Sequence, residues 1–273
     1  MIVNRTIFYG KKLLFKLALI LSPVYLFLTG IGLLYSDSLI FLPPAANYQF
    51  SDDLVTIPSK NTDDDSEHTI VARLLNKPGS KYTVIYSHGN AIDISGLYRL
   101  QQRFFNNGYS VITYDYSGYG LSEGQVSEAQ VYNDVLAVYD YLIKQRKIMP
   151  EQIISYGHSL GAAIATDLAS NRPVAGLVLE SPFTSAFRVI TISPIVPFDK
   201  FSSVSKLSKI KTAVFIVHSR DDPVIPFWHG QALFEMAENP KMAMWFDDAG
   251  HSGITHSTAF WPALKTFVAE LSP

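Results

Sequence analysis

The chain has 273 residues, of which 48% are hydrophobic and 17% are charged, so we expect one globular domain with a sizeable core. A formal net charge of −2 argues against nucleic acid as a partner, because phosphate binding needs a concentrated excess of Lys and Arg. The absence of cysteine excludes disulfides, thiolate metal sites, a cysteine nucleophile and a lipid-modified cysteine.

The N-terminal segment is the most biased stretch of the sequence. No charged residue occurs between Lys16 and Asp37, and most positions between them are apolar. A membrane span needs about 20 apolar residues, whereas the apolar part of a cleavable signal has about 7–15. We therefore predict a short N-terminus at 1–16, a transmembrane anchor at 17–36 and a connector at 37–47. A cleaved signal peptide and a buried helix are the alternatives.

The charges that flank this segment predict its orientation. One acidic residue, Asp37, follows the span, and four basic residues precede it: Arg5, Lys11, Lys12 and Lys16. Cytoplasmic flanks of membrane spans carry an excess of Lys and Arg. We expect the N-terminus to be cytoplasmic and the remainder of the chain to lie on the non-cytoplasmic side.

Residues 48–273 show the pattern of an α/β domain. Short β-branched or aromatic runs alternate with longer stretches of helical spacing, which is typical of a mostly parallel, twisted sheet with helices on both faces. The predicted strands are residues 82–86, 110–114, 152–156, 176–179, 213–217 and 242–246. The predicted helices are residues 93–107, capped by Asp93, 127–146, capped by Ser127, 160–170, and a final amphipathic helix. Ligands bind beyond the carboxyl ends of such strands, so the residues that follow each strand are the candidate site.

A Gly-x-Ser-x-Gly motif, Gly157-His158-Ser159-Leu160-Gly161, lies between a predicted strand and a predicted helix. A nucleophile elbow needs this context, because a tight turn lifts one side chain above the sheet and small residues let strand and helix approach. Ser159 is therefore the candidate nucleophile. Its neighbour Leu160 would offer a backbone N–H at the helix start, where the dipole favours a developing negative charge. An ordinary glycine-rich turn is the alternative.

A second oxyanion donor is expected after an earlier strand. The segment Ser87-His88-Gly89-Asn90-Ala91 follows residues 82–86 directly. The backbone N–H of Asn90 is the candidate donor, since two preorganised donors stabilise a tetrahedral oxyanion. We interpret His88 as a side chain that fixes the loop.

Two aspartates follow the predicted strand 213–217. The pattern Asp-x-x-aliphatic-Pro fits Asp222, which is followed by Ile225 and Pro226. We therefore predict Asp222 as the catalytic acid and Asp221 as a solvated turn residue. Glu180, which also ends a strand, is the weaker alternative for the acid.

The candidate base follows the last predicted strand. His251 lies between Gly250 and Gly253, in a loop at the same edge of the sheet. The order Ser159, Asp222, His251 is that of α/β hydrolases, in which the histidine takes the serine proton and the acid orients the histidine. We interpret the other histidines of this region as packing or surface residues: His218, His229 and His256.

Three motifs occur together: His88-Gly89-Asn90-Ala91, residues 114–120 with the sequence Tyr-Asp-Tyr-Ser-Gly-Tyr-Gly, and Gly157-His158-Ser159-Leu160-Gly161. This combination resembles the α/β-hydrolase-domain subfamily that includes membrane-associated protein depalmitoylases. The resemblance runs from about Tyr48 to the C-terminus and implies the α/β-hydrolase fold. The front end differs, because the depalmitoylases carry a Cys-rich lipidated segment where this chain has a Cys-free hydrophobic span.

The combined features predict a serine hydrolase that acts on a small acyl ester, thioester or lipid-like substrate. The alternatives are an aminopeptidase-like or amidase activity, and a catalytically silent, membrane-tethered binding protein. Apolar residues of the segment 181–212 could line an acyl groove or simply cover the sheet. We expect no cofactor and no metal, because the sequence has no metal cluster, phosphate loop or dinucleotide fingerprint. The oligomeric state is not predicted.

Overall fold

The structure is a computed structural model that describes residues 2–64, 66–238 and 240–271. The chain divides into two units after Ile40. The first unit is one long helix, and the second contains the sheet and all the candidate site residues.

Helix α1, Ile2–Ile40, forms the N-terminal unit. Within the described residues, its part Phe15–Ile40 is long and apolar enough to cross a membrane. The predicted anchor, 17–36, lies inside this helix. The crossing itself and its orientation stay predictions.

The second unit is built on a mostly parallel sheet. Its strands are β1 (Leu54–Lys60), β2 (Glu67–Leu75), β3 (Thr83–Ser87), β4 (Ser110–Tyr114), β5 (Ile153–His158), β6 (Gly176–Glu180), β7 (Ala213–Ser219) and β8 (Lys241–Phe246). Among the described residues the spatial order is β1-β2-β4-β3-β5-β6-β7-β8. β2 pairs antiparallel with β1 and with β4, and every other pairing is parallel.

Helices cover both faces of this sheet. They are α2 (Tyr98–Asn106), α3 (Glu128–Lys144), α4 (Leu160–Asn171), α5 (Ser203–Leu207), α6 (Trp228–Met236) and α7 (Phe260–Ala269). One apolar cluster includes residues of α2 and α7, and the other includes residues of α4, α5 and α6. Alternate residues of one strand join different clusters: Val178 of β6 joins the first, and Leu177 and Leu179 join the second.

The predicted central strands are confirmed, β4 with the same bounds and the others to within two residues. The predicted N-caps are also confirmed. The Asp93 carboxylate accepts from the Ser95 N–H at 2.9 Å, and the Ser127 hydroxyl accepts from the Gln130 N–H at 3.1 Å. Asp93 caps a short 3-10 turn, Ile94–Leu97, that precedes α2, so the predicted helix 93–107 is interrupted at its start.

The structure divides the predicted connector, 37–47, between the two units. Residues up to Ile40 belong to α1, and the second unit begins at Phe41 rather than Tyr48. The Phe41 ring is buried and packs edge-on against Tyr119 and Phe201. This docking fixes the chain directly after the helix.

Part of the segment 181–212 covers the sheet, because Leu207 and Ile210 join the second apolar cluster with residues of β6 and β7. The segment contains a 3-10 turn, Phe187–Val189, and helix α5. Ile190 and Ile192 are more than four-fifths exposed, at 90% and 84%, whereas Phe201 is buried. The apolar side chains of this segment therefore have no common role.

Asp134 of α3 ties three parts of the second unit together. Its buried carboxylate accepts from the Ser59 hydroxyl of β1 at 2.6 Å. It also accepts from the backbone N–H and the hydroxyl of Ser117, at 2.7 and 2.9 Å, and from the Gln130 amide at 3.0 Å. Ser117 lies in the turn after β4, so this carboxylate positions the turn that precedes Tyr119.

We predict that Asp134→Ala lowers the free energy of unfolding by about 3 kcal/mol, because each buried donor left without a partner costs about 1–3 kcal/mol. Chemical denaturation of the variant and the wild type measures the difference. The matched control is Asp140→Ala on the same helix, which removes an exposed ion pair with Lys144 and should change stability by less than about 0.5 kcal/mol. Equal losses in the two variants would contradict the prediction.

Candidate active site

Ser159 occupies a sharp turn between β5 and α4. Its backbone has a φ of 55° and a ψ of −117°, in a region that residues with a Cβ rarely adopt. The surrounding backbone is packed too closely for larger residues. A Cβ at Gly157 would lie 2.0 Å from the Gly161 carbonyl oxygen, and a Cβ at Gly161 would lie 2.0 Å from the Ser87 carbonyl oxygen. The two glycines therefore permit the turn that the Gly-x-Ser-x-Gly motif predicts.

The structure brings Ser159, Asp222 and His251 together. The His251 Nε2 lies 3.0 Å from the Ser159 Oγ, and the His251 Nδ1 lies 2.8 Å from the Asp222 Oδ2. The serine directly follows β5, the aspartate follows β7, and the histidine follows β8. Because these strands run parallel, their carboxyl ends meet at one edge of the sheet.

The Asp222 carboxylate is buried but accepts several hydrogen bonds. The backbone N–H groups of Val224 and Ile225 donate to its Oδ1, both at 2.8 Å, which explains the Asp-x-x-Ile-Pro pattern. His251 and His218 contact its Oδ2 at 2.8 and 3.3 Å. Burial raises the pKa of Asp222, but the hydrogen bonds from His218 and His251 outweigh burial and hold the pKa below its ordinary value.

His218 thus has a contact that the sequence analysis missed. Its Nε2 lies 3.0 Å from the Ile225 carbonyl oxygen, which can only accept, so this nitrogen carries the proton. The same N–H faces Asp222. The signal in the sequence was a histidine four residues before the aspartate, at the end of a buried strand.

The backbone of His251 is held by two residues that the sequence analysis gave no role. The His158 Nε2 and the Ser181 hydroxyl both donate to the His251 carbonyl oxygen, each at 3.0 Å. Burial lowers the pKa of His158, which keeps this ring neutral with its proton on Nε2. His158 is the last residue of β5 and Ser181 directly follows β6, so the sheet edge also positions the histidine loop.

Asp221 is more than the solvated turn residue that we predicted. Its Oδ1 accepts from the Ser219 hydroxyl at 2.5 Å and from the Gly250 N–H at 2.8 Å, which ties the aspartate loop to the histidine loop. Glu180, the other alternative for the acid, is buried and accepts from the Tyr156 hydroxyl at 2.7 Å. Asp222 is the carboxylate that contacts His251.

The two predicted oxyanion residues flank Ser159. Leu160 is the first residue of α4, so its N–H is among the donors that a helix leaves without an intrahelical partner. Asn90 follows Gly89, at which a Cβ would lie 3.6 Å from the Ser159 Cβ. Asn90 and Ser159 line the same pocket.

This pocket has a volume of about 410 Å³. Ser159 and His251 lie in its wall together with apolar side chains, namely Ile92, Leu97, Leu100 and Val224. His256, which we interpreted as a packing or surface residue, also lines it. The pocket can hold an apolar group next to the serine hydroxyl.

His88 and His229 are buried, as the packing interpretation predicts. The His88 Nδ1 contacts its own loop at the Gly89 carbonyl oxygen, 2.7 Å away, and the His88 ring packs against Tyr116. The His229 Nδ1 accepts from the Thr184 N–H at 3.2 Å. Burial lowers the pKa of each histidine to about 4, so both rings are neutral at pH 7.

Comparison with known sequences identifies the family. The chain is 40% identical over 199 residues to alpha/beta hydrolase domain-containing protein 17B of Xenopus laevis, and the match covers 71% of this chain and 68% of that protein. The chain belongs to this family of α/β hydrolases. The human protein 17B is 39% identical over the same shares of the two chains. The profile of the Hydrolase_4 family, described as serine aminopeptidase, S33, matches residues 78–202.

Solved structures share the fold of this family member. An esterase of Pyrococcus furiosus superposes with a TM-score of 0.69 at 16% identity, covering 86% of this chain and 98% of that one. An alpha/beta hydrolase of a Penicillium species superposes with a TM-score of 0.67 at 14% identity, covering 80% and 98% of the two chains. The fold is that of the α/β hydrolases, and the chain is a hydrolase of this family.

Burial of His229 predicts that the free energy of unfolding depends on pH. The pKa of His229 falls from an ordinary value of 6.5 to about 4 in the folded protein, so the unfolded chain binds the proton more readily. Stability contributed by the neutral ring is therefore lost as the pH falls from about 6.5 to about 4. The contribution of His229 to the free energy of unfolding is at most about 3 kcal/mol. We expect His229→Gln, which keeps an acceptor for Thr184, to show a shallower fall in unfolding free energy across this window.

Denaturation at several pH values measures this slope. Other groups titrate in the same range: His88 acts in the same direction, and Asp115 acts in the opposite direction because burial raises its pKa to about 7. The difference between variant and wild type therefore isolates His229. Ser170→Ala, which removes no titratable group, is the control with an unchanged slope. Identical slopes for His229→Gln and the wild type would refute the assignment.

Proposed function

We propose that the chain is a serine hydrolase that cleaves a carboxylic ester or thioester through an acyl-enzyme on Ser159. The observation that carries this proposal is the pair of contacts made by His251, at 3.0 Å to the Ser159 Oγ and 2.8 Å to the Asp222 Oδ2. Both distances lie within the range in which a serine, a histidine and an aspartate act together.

In the proposed mechanism, His251 Nε2 takes the proton of the Ser159 hydroxyl while Oγ attacks the acyl carbon. The backbone N–H groups of Leu160 and Asn90 stabilise the negative oxygen of the tetrahedral intermediate. The imidazolium then gives its proton to the leaving alcohol or thiol, and the acyl group remains on Oγ. Water, activated by the same histidine, releases the acid and restores the serine. Asp222 holds the histidine tautomer and stabilises the imidazolium throughout.

The shape of the pocket supports an acyl or lipid-like substrate. Its walls next to Ser159 carry Ile92, Leu97, Leu100 and Val224, and a volume of about 410 Å³ admits an acyl chain of moderate length. An ester and a thioester place the same acyl group in this space and differ only in the leaving atom. The resemblance to depalmitoylases supports a thioester of a fatty acid as one member of this class.

The aminopeptidase alternative has some support from the description of the matching family profile. An aminopeptidase must bind a substrate ammonium group, for which a carboxylate in the pocket is the usual partner. Among the described lining residues the carboxylate is Glu180, which is only 2% exposed and already accepts from Tyr156. These observations favour an ester or thioester over a peptide. The three contacting residues of the proposed triad likewise favour an enzyme over a silent binding protein.

The proposed enzyme is anchored to a membrane by α1. Its apolar part, Phe15–Ile40, supports a single span. The basic residues before this part and Asp37 near its end support a cytoplasmic N-terminus and a catalytic domain on the non-cytoplasmic side.

A fluorophosphonate probe tests the proposed nucleophile. The probe forms a covalent bond with a serine that a histidine and an oxyanion hole activate, so we expect the full chain to be labelled and Ser159→Ala not to be. Ser170→Ala is the matched control, because Ser170 lies on α4 but its hydroxyl donates to the Asp167 carbonyl oxygen. This control should be labelled as strongly as the wild type. Well-folded wild-type protein that resists labelling would overturn the proposed function.

The two neighbouring aspartates provide a second test. We expect Asp222→Asn to lower kcat for a soluble ester by about 10³- to 10⁴-fold, because the amide favours the wrong histidine tautomer. Asp221→Asn keeps an oxygen for both of its donors and should change kcat by less than about threefold. Steady-state hydrolysis of p-nitrophenyl butyrate measures both. A larger loss of kcat in Asp221→Asn than in Asp222→Asn would show that Asp221, and not Asp222, is the acid.

A further inference from the structure

The residues directly after α1 form a strap along the candidate oxyanion loop. This strap, residues 41–48, begins at the buried Phe41 and ends at Tyr48. The Tyr48 hydroxyl donates to the Asp115 carboxylate, and the Asn47 N–H donates to the Asp93 Oδ2 at 3.3 Å. Both ends of the strap are therefore fixed to the second unit.

A further contact of the strap, made by Leu42, reaches Asn90. The backbone N–H of Leu42 donates to the Asn90 Oδ1 at 3.0 Å. The Tyr119 hydroxyl donates to the same oxygen at 2.7 Å. The Leu42 N–H also lies 3.3 Å from the Tyr119 oxygen, so the three groups form one small network. Asn90 is the residue whose backbone N–H is proposed to stabilise the oxyanion.

The loop that carries Asn90 needs such support. Its next residue, Ala91, has a φ of 57°, a conformation that costs free energy in a residue with a Cβ. Such a conformation persists only where surrounding contacts hold it. The Ala91 N–H also donates to the Asn90 Oδ1, at 3.0 Å, so the side chain of Asn90 links the strained residue to the strap.

We propose that the strap positions the oxyanion hole. The Leu42 N–H and the Tyr119 hydroxyl hold the Asn90 side chain, and this side chain fixes the orientation of the Asn90 backbone N–H beside Ser159. Leu42 and Tyr119 are thus positioning residues that act through Asn90 and do not touch the substrate. The inference rests on the proposed serine hydrolase function and assigns a role to the segment that follows the apolar helix.

The role belongs to the backbone of Leu42 and not to its side chain. The side chain is 59% exposed, whereas the N–H is the group that reaches Asn90. Proline at position 42 would remove this donor, because proline has no N–H. Alanine would keep the donor and shorten only an exposed side chain. Comparing Leu42→Pro with Leu42→Ala therefore separates the effect of losing the hydrogen bond from the effect of losing the leucine side chain.

The experiment uses the full chain in detergent, with p-nitrophenyl butyrate as the soluble ester. We expect Leu42→Pro and Tyr119→Phe each to lower kcat about tenfold, less than the roughly 10²- to 10³-fold cost of losing an oxyanion donor outright. KM should stay within about twofold, because the ground-state acyl group does not use the oxyanion hole. Leu42→Ala should match the wild type in both constants. Thermal unfolding of each variant checks that the fold is intact.

A second readout separates positioning from a merely structural role. An aryl trifluoromethyl ketone forms a tetrahedral adduct with an active serine and places an oxyanion in the hole. Its affinity should fall in Leu42→Pro and Tyr119→Phe by the same factor as kcat/KM, since both report stabilisation of the tetrahedral species. A partly folded variant would have fewer active sites, but each remaining site would bind the ketone as tightly as the wild type does. Fluorophosphonate titration counts the active sites, so the ketone affinity can be expressed per active site.

The outcomes are distinct. Unchanged kcat and ketone affinity in Tyr119→Phe and in Leu42→Pro, with Ser159→Ala inactive, would overturn the strap inference and leave the proposed function in place. A loss confined to KM, or an equal loss in Leu42→Ala, would also overturn it. If Leu42→Pro fails to fold, Phe41→Ala takes its place, because it removes the buried ring that fixes the start of the strap, and unchanged kcat in this variant would also overturn the inference. A wild type that is neither labelled nor active on esters would overturn the proposed function and the inference together.

Discussion

The turn at Ser159 requires a close approach of three backbone segments, and the rest of the candidate site depends on that approach. β5 must end, the chain must reverse through a φ of 55° and α4 must begin within a few residues. This is possible only because Gly157 and Gly161 leave no Cβ between the turn, the helix and the end of β3. The same approach places the loop after β3, with Gly89 and Asn90, beside the serine. The geometry that exposes Ser159 therefore also brings Asn90, the second residue of the proposed oxyanion hole, close to it.

The electrostatics of the site follow from how the sheet edge places donors around one carboxylate. A buried carboxylate without partners would be protonated, because burial disfavours its charged form. Asp222 stays charged because two backbone N–H groups and two histidines surround it. The buried histidines nearby are kept neutral instead, as His158 and His229 illustrate. The buried carboxylate that contacts His251 is thus held in its charged form.

The strands that are covered by helices on both faces could be predicted from the amino-acid sequence. The strands β3 to β7 are rich in apolar, β-branched and aromatic residues, so their position followed from composition. The hairpin β1–β2 was not predicted, because an edge strand with one exposed face alternates polar and apolar residues and tolerates Pro58. The motifs around Ser159, Asp222 and His251 named the residues that meet in the structure. His158 and Ser181 were missed because their contacts to the His251 carbonyl oxygen join residues far apart in the chain and leave no spacing pattern.

The strap was missed for a different physical reason. Phe41 follows a long apolar segment, and a sequence gives no means of separating an apolar residue that ends a membrane helix from one that enters a core. The contact of Leu42 is made by its backbone, which every residue except proline could supply, so no side-chain pattern marks it. A backbone contact of this kind constrains the chain path and not the residue type. The strap, residues 41–48, can therefore hold the proposed oxyanion loop although its composition resembles that of a linker.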